Sequence, residues 1–104
     1  MKILWVSLLL MISFSSIADW HTGKLKFLGV GYDGATIALS PEGWDRNDCT
    51  CYPTWPSHMC LIPSRASYEF EKSLVLSARA RGSVLKIHVD ETTCSVLAIY
   101  ENDN

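Results

Sequence analysis

Apolar and polar positions alternate every second residue near both ends of this chain, and between these stretches the period changes to that of a helix. Lys24, Leu25, Lys26 and Phe27 alternate, and the apolar character runs on through Leu28 and Val30 to Tyr32, which predicts a first strand. Gly29 and Gly31 inside that run predict a bulge or a strong bend. Asp33-Gly34 is a hairpin signal between two apolar runs, and Ala35 to Leu39 form the second predicted strand. From Ser40 to Ser57 the prolines Pro41, Pro53 and Pro56 and Gly43 rule out regular structure, with a polar turn over residues 45–48. His58 to Ile62 reads as a short third strand ended by Pro63. Phe70, Leu74 and Ala78 then fall four residues apart and stack on one helical face. Ser64 or Ser67 is placed to cap that helix, with Glu69 and Glu71 in its first turn. Arg79, Arg81 and Gly82 mark its end. Leu85, Ile87 and Val89 alternate with Lys86, His88 and Asp90 as a fourth strand, and after Glu91–Thr93 and Cys94 a fifth covers Ser95–Tyr100.

The predicted order is strand, strand, strand, helix, strand, strand. That is the element order of an OB-fold, a five-stranded Greek-key barrel whose helix lies between its third and fourth strands. A β-sandwich rarely places a single helix there. A ferredoxin-like fold needs a helix directly after the first strand, and the Asp33-Gly34 hairpin leaves no room for one.

Residues 1–18 read as a secretory signal peptide: Lys2 is the positive start, Ile3 to Ile12 the apolar stretch, and Ser16-Ile17-Ala18 the small-residue cleavage signal before Asp19. The expectation is a single exported domain over residues 19–104, secreted or periplasmic, with no transmembrane anchor. Removing the leader takes away Lys2, leaving eight Lys and Arg against eleven Asp and Glu. A net-acidic chain with no basic stripe does not bind nucleic acid generally.

Export also means an oxidising compartment, and a domain this small gains from covalent staples. Cys49, Cys51, Cys60 and Cys94 all lie in the mature part and allow three pairings. Cys49 with Cys51 is disfavoured by its strained ring. Cys51–Cys94 with Cys49–Cys60 is preferred here, with the exchange of partners close behind it.

The candidate chemistry concentrates in the central loop. Trp44, Tyr52 and Trp55 offer aromatic planes suited to the apolar faces of sugar rings, with Asp45, Arg46, Asn47 and Asp48 as hydrogen-bonding neighbours. The structural alternative, which is favoured, folds Trp44 and Trp55 back over the open end of the barrel. Trp20 is expected to plug the barrel end. Cys49, Cys51, His58 and Cys60 can be written as a zinc set, but their spacing fits no common finger and oxidation competes for the thiols. No metal or other cofactor is therefore expected. His21, His58 and His88 lie beside no recognisable nucleophile motif, so no enzymatic activity is expected. His88 with Asp90 reads as a solvated strand face.

Several short motifs resemble a known family. Trp20-x-x-Gly23-Lys24, Leu76-Ser77-Ala78 before Gly82, the strand Leu85 to Val89, and Cys94-x-Val96-x-x-Ile99 are similar to those of small exported bacterial proteins related to the B subunit of subtilase cytotoxin. These are the binding subunits of pertussis-type AB5 toxins. The resemblance implies an OB-fold, a homo-pentameric ring, a glycan ligand and a toxin A subunit as partner. The loop from Ser40 to Ser57 is longer and richer in Cys and Trp than that family leads one to expect, and no sugar-contacting residue is carried over from it. The competing reading is a periplasmic protein–protein module, such as an inhibitor or accessory factor of a cell-wall enzyme, with the Trp44–Trp55 loop inserted in its partner's cleft.

Overall fold

A computed structural model of the chain describes residues 18–102. Residues 1–17, most of the expected leader, lie outside the described residues. Strands β1 (Ala18–Gly23) and β2 (Leu25–Val30) follow one another with only Lys24 between them; β3 (Ile37–Pro41), β4 (Met59–Leu61), helix α1 (Tyr68–Arg81), β5 (Leu85–Asp90) and β6 (Val96–Glu101) complete the order. The fold is mainly β, with two antiparallel three-stranded sheets ordered β1-β5-β6 and β2-β3-β4. The near-continuous run of β1 into β2 carries the chain from one sheet to the other. On the opposite side the sheets meet at a single parallel bridge, Cys60 with Ser95, where the Cys60 N–H donates to the Cys94 carbonyl at 3.1 Å. Among the described residues no ladder closes the two sheets into a barrel.

The core lies between the sheets and under the helix. Leu25, Leu39, Met59, Leu61, Val75, Leu85, Ile87, Val89 and Val96 are buried there. In β5 the alternation predicted from sequence holds: Leu85, Ile87 and Val89 face inward while Lys86, His88 and Asp90 are half-exposed.

Three element predictions are corrected. A sixth strand, β1, precedes the predicted first one and pairs with β5 from Ala18↔Asp90 to Gly23↔Leu85. Trp20 therefore lies on that sheet's surface, 41 % exposed, beside His88 and Tyr100 at 4.6 and 5.6 Å between ring centres, and does not plug a barrel. The second predicted strand runs on to Pro41, because Ser40 pairs with Phe27 and Pro41 with Leu25 across a bulge at Lys26. The expected two-residue hairpin is a wider turn: Gly31 N–H bonds the Thr36 carbonyl at 2.8 Å, and Asp33 Oδ1 accepts from the N–H groups of Ala35 and Thr36, each at 2.9 Å.

The helix also presents a different face from the one predicted. Its end is as expected: Gly82 takes the left-handed conformation (φ 66°) and the Ser83 N–H closes on the Ala78 carbonyl at 3.0 Å. The inward face, however, is Glu71, Val75 and Ala78, while Phe70 is exposed. Glu71 is drawn in by Arg65, whose Nη2 lies 2.9 Å from Oε2, and by the Ser67 hydroxyl at 2.8 Å. Arg65 also donates to the Leu97 carbonyl at 2.8 Å, tying the start of α1 to β6. Ser67 thus spends its hydroxyl on Glu71 and makes no side-chain cap bond.

Arg65→Ala strands a buried carboxylate. Full loss of a buried ion-pair partner costs roughly 3–5 kcal/mol, but Glu71 keeps its hydrogen bond from the Ser67 hydroxyl. We expect about 2–3 kcal/mol of destabilisation by urea unfolding at pH 7. The double change Arg65→Ala with Glu71→Met is expected to recover most of it, since no charge is then left buried.

Candidate functional site

Two disulfides shape the central loop, and they correct the preferred pairing. Cys49 joins Cys94 and Cys51 joins Cys60, in place of Cys51–Cys94 with Cys49–Cys60. The loop backbone explains the choice. The N–H groups of Thr50 and Cys51 both bond the Thr93 carbonyl, at 3.2 and 3.0 Å, which docks the loop on the turn before β6 with Cys49 over Cys94. The chain then leaves that turn, and Cys51 faces Cys60 on β4. All four sulfurs are bridged, so the zinc set written from sequence has no thiolate to offer.

The ten residues from Cys51 to Cys60 form a short covalently closed loop that carries an aromatic shelf. Two successive turns build it: the Trp55 N–H bonds the Tyr52 carbonyl at 2.9 Å and the His58 N–H bonds the Trp55 carbonyl at 3.4 Å. Trp55 is its centre, with the rings of Tyr52 at 5.5 Å, Phe27 at 5.9 Å, Tyr32 at 6.3 Å and His58 at 6.4 Å around it. Such separations and tilted planes are the favoured geometries for aromatic pairs. Phe27 comes from β2, brought round by the bulge at Lys26, and its ring lies flat against His58 at 3.8 Å with 8° between planes. Beside them opens a cavity of about 450 Å³ lined by Phe27, Thr54, Trp55, Pro56, Ser57 and His58.

Gly31 is where the shelf meets the sheet. A Cβ there would fall 2.5 Å from the Tyr52 ring, so only glycine lets Tyr52 lie against the backbone, and the Tyr52 hydroxyl accepts from the Tyr32 N–H.

The expected aromatic set is divided by the structure. Tyr52 and Trp55 come together; Trp44 does not join them. It is 4 % exposed, its indole N–H donates to the Ser57 carbonyl at 3.1 Å, and its own carbonyl accepts from Lys26 Nζ at 2.7 Å. The polar neighbours expected to serve a sugar also lie on the Trp44 side. Arg46 stands over the Trp44 ring at 5.7 Å and is held by Asp48 and Glu91, each at 2.9 Å. Glu91 also meets His21 Nε2 at 2.9 Å. This network edges a second cleft of about 440 Å³ between Trp20 and Arg46. Asp90 accepts from the Thr92 N–H at 2.8 Å and His88 lies beside Trp20, so the two do not act as a pair.

Phe27 and Tyr32 belong to the shelf and were not among the sequence candidates, and His58, weighed there only as a zinc ligand or a catalytic histidine, joins them. Phe27 sits in an apolar run and reads as core; only the bulge turns it outward. His58 is clamped from below: its Nδ1 lies 2.6 Å from the hydroxyl of Ser40. That pair has the composition of a nucleophile and its base, but Ser40 is fully buried, so a substrate cannot reach its oxygen. The bond orients the imidazole instead.

Burial, helped by the positive charge of Lys26, holds the His58 pKa below its ordinary value of 6.5. In the window between the lowered value and 6.5, the unfolded chain binds more protons than the folded one. His58 therefore makes the protein lose stability as pH falls through that window. The expected result is a smaller drop in urea midpoint from pH 7.5 to pH 5 for His58→Phe than for the unaltered protein.

Scanned against protein-family models, curated proteins and solved structures, the chain matches none of them.

Proposed function

We propose that this chain is an exported, non-enzymatic binding module of OB-fold type that holds a carbohydrate on the Trp55 shelf. The observation that carries the reading is the shelf itself. Trp55 is half-buried among Phe27, Tyr52 and His58, beside an open cavity of about 450 Å³, in a loop locked at both ends by the Cys51–Cys60 bridge. A pyranose ring has one apolar C–H face and a rim of hydroxyls, so it matches rigid aromatic planes bordered by Thr54, Ser57 and His58. Preorganisation by the disulfide removes much of the ordering cost of binding.

The barrel topology is part of the same reading. The β1–β2 run shared between sheets and the Cys60–Ser95 bridge follow the path of an OB-fold in which the first strand serves both halves and the third strand approaches the last. Ring assembly in the manner of AB5 binding subunits goes with it. The last strand of its sheet, β6, has Leu97 39 % and Tyr100 46 % exposed, an apolar surface that a neighbouring subunit could cover. Among the described residues no helix is long and apolar enough to cross a membrane, and two disulfides suit an oxidising compartment.

The test is a printed glycan array probed with oxidised residues 19–104. A defined set of glycans bound by the unaltered protein and lost in Trp55→Ala is the expected result. Binding to no glycan, or binding untouched by Trp55→Ala, contradicts the reading. Light scattering on the same sample checks assembly, with a pentamer expected.

A further inference from the structure

We infer that His58 is the hydrogen-bonding reader of the shelf: clamped by Ser40 and stacked on Phe27, it offers Nε2 to a hydroxyl of the sugar whose face lies on Trp55. The inference rests on the carbohydrate reading above and names the polar atom that would orient the ligand there.

The ring is fixed in two directions. Its plane is set by the flat stack on Phe27, 3.8 Å away, and its rotation by the 2.6 Å bond from Nδ1 to Ser40. Ser40 is fully buried on β3, and its hydroxyl has no other partner among the described residues. Its proton therefore points to Nδ1, which accepts, and the imidazole proton stays on Nε2. Nε2 has no protein partner among the described residues. It is also absent from the buried atoms left without one, which are Glu71 Oε1 and His88 Nδ1. His58 lines the cavity with Phe27 and Trp55, so this N–H is an open donor on a rigid mount. The other polar side chains of the cavity, Thr54 and Ser57, are exposed and lack such support. Burial, helped by the positive charge of Lys26, favours the neutral ring, which preserves the acceptor at Nδ1 on which the arrangement depends.

Specificity follows from this geometry. Aromatic stacking is tolerant of sugar type, whereas one fixed donor rewards a hydroxyl at one height and direction and leaves an unmatched epimer without its partner. Two substitutions separate the ring from the donor. His58→Phe keeps the stack on Phe27 and removes the N–H; His58→Gln gives up the stack and keeps an amide N–H of similar reach.

The experiment is the same printed glycan array, read for both variants and for Trp55→Ala. Signal weakened about tenfold or more in His58→Phe, partly restored in His58→Gln, and narrowed to the same glycans in the unaltered protein is expected. Signal lost in Trp55→Ala but kept in His58→Phe overturns the role of His58 and leaves the carbohydrate reading standing. No signal from the unaltered protein overturns both. Should the variants not fold, the nitrogen shifts of His58 in the unaltered protein decide: a proton on Nε2 at pH 7.5 agrees with the inference, and a proton on Nδ1 overturns it.

Discussion

Replacing Cys49 and Cys94 together by alanine is expected to lower the stability of residues 19–104 by about 4 kcal/mol. The bridge spans a sequence separation of 45, and the entropy it removes from the unfolded chain grows with the logarithm of that loop. The Cys51–Cys60 bridge spans only 9, for which the same relation predicts about 3 kcal/mol. Small domains have in total only about 5–15 kcal/mol, so the first loss brings the fold close to its limit. The two bridges also differ in what they hold. Cys49 and Cys94 are buried in the core cluster, and Cys94 adopts a left-handed backbone (φ 70°) at the turn into β6, so their loss loosens the sheet junction. Cys51–Cys60 encloses Tyr52, Trp55 and His58, and its loss is expected to disorder the shelf while the sheets persist. Urea unfolding of both double variants, read by far-ultraviolet dichroism for the sheets and by tryptophan fluorescence for the shelf, measures the two effects.

Trp44→Ala is expected to cost about 3–5 kcal/mol, in the range for truncating a large buried aromatic side chain. The indole is 4 % exposed, packs edge-on to His21 at 4.7 Å and donates to Ser57. Removing it leaves a cavity beneath the His21–Glu91–Arg46 network and takes the partner from a backbone carbonyl. Trp55→Ala removes a ring of the same size from a half-exposed position and is expected to cost about 1–2 kcal/mol. Thermal unfolding of the two variants side by side checks the contrast. A larger loss for Trp55 would mean that the shelf belongs to the core and is not available to a ligand.

Much of the fold is legible because it is local. The alternation of β5, the Gly82 stop and the irregular central loop, which sets in after Pro41 and not at Ser40, depend on residues a few positions apart. What was missed depends on partners far away in sequence. β1 shows no alternation, since Trp20 lies on an outer face and His21 turns toward Trp44 and Glu91; only the β5 ladder makes it a strand. Glu71 reads as a wet helix position until Arg65, six residues earlier in a turn, pairs with it. The disulfide pairing could not be settled from spacing, because Cys49 and Cys51 are two residues apart and only the docking of Thr50 and Cys51 on Thr93 assigns them. The site was half legible for the same reason. The loop, its aromatic content, its covalent tether and the folding-back of Trp44 could be read directly, whereas the half-exposure of Trp55 and the arrival of Phe27 follow from the β2 bulge and the path of the loop across both sheets.

Residues 19–104 carry three indole groups, Trp20, Trp44 and Trp55, each with its own N–H signal in a nitrogen–proton correlation spectrum, and each standing for one region: the outer sheet face, the core and the shelf. Adding the strongest glycan from the array to labelled residues 19–104 tests the central claim directly. The Trp55 signal is predicted to move with saturation while the Trp20 and Trp44 signals stay in place. Movement of Trp20 with Trp55 unchanged would contradict the account and assign the ligand to the face formed by β1, β5 and β6.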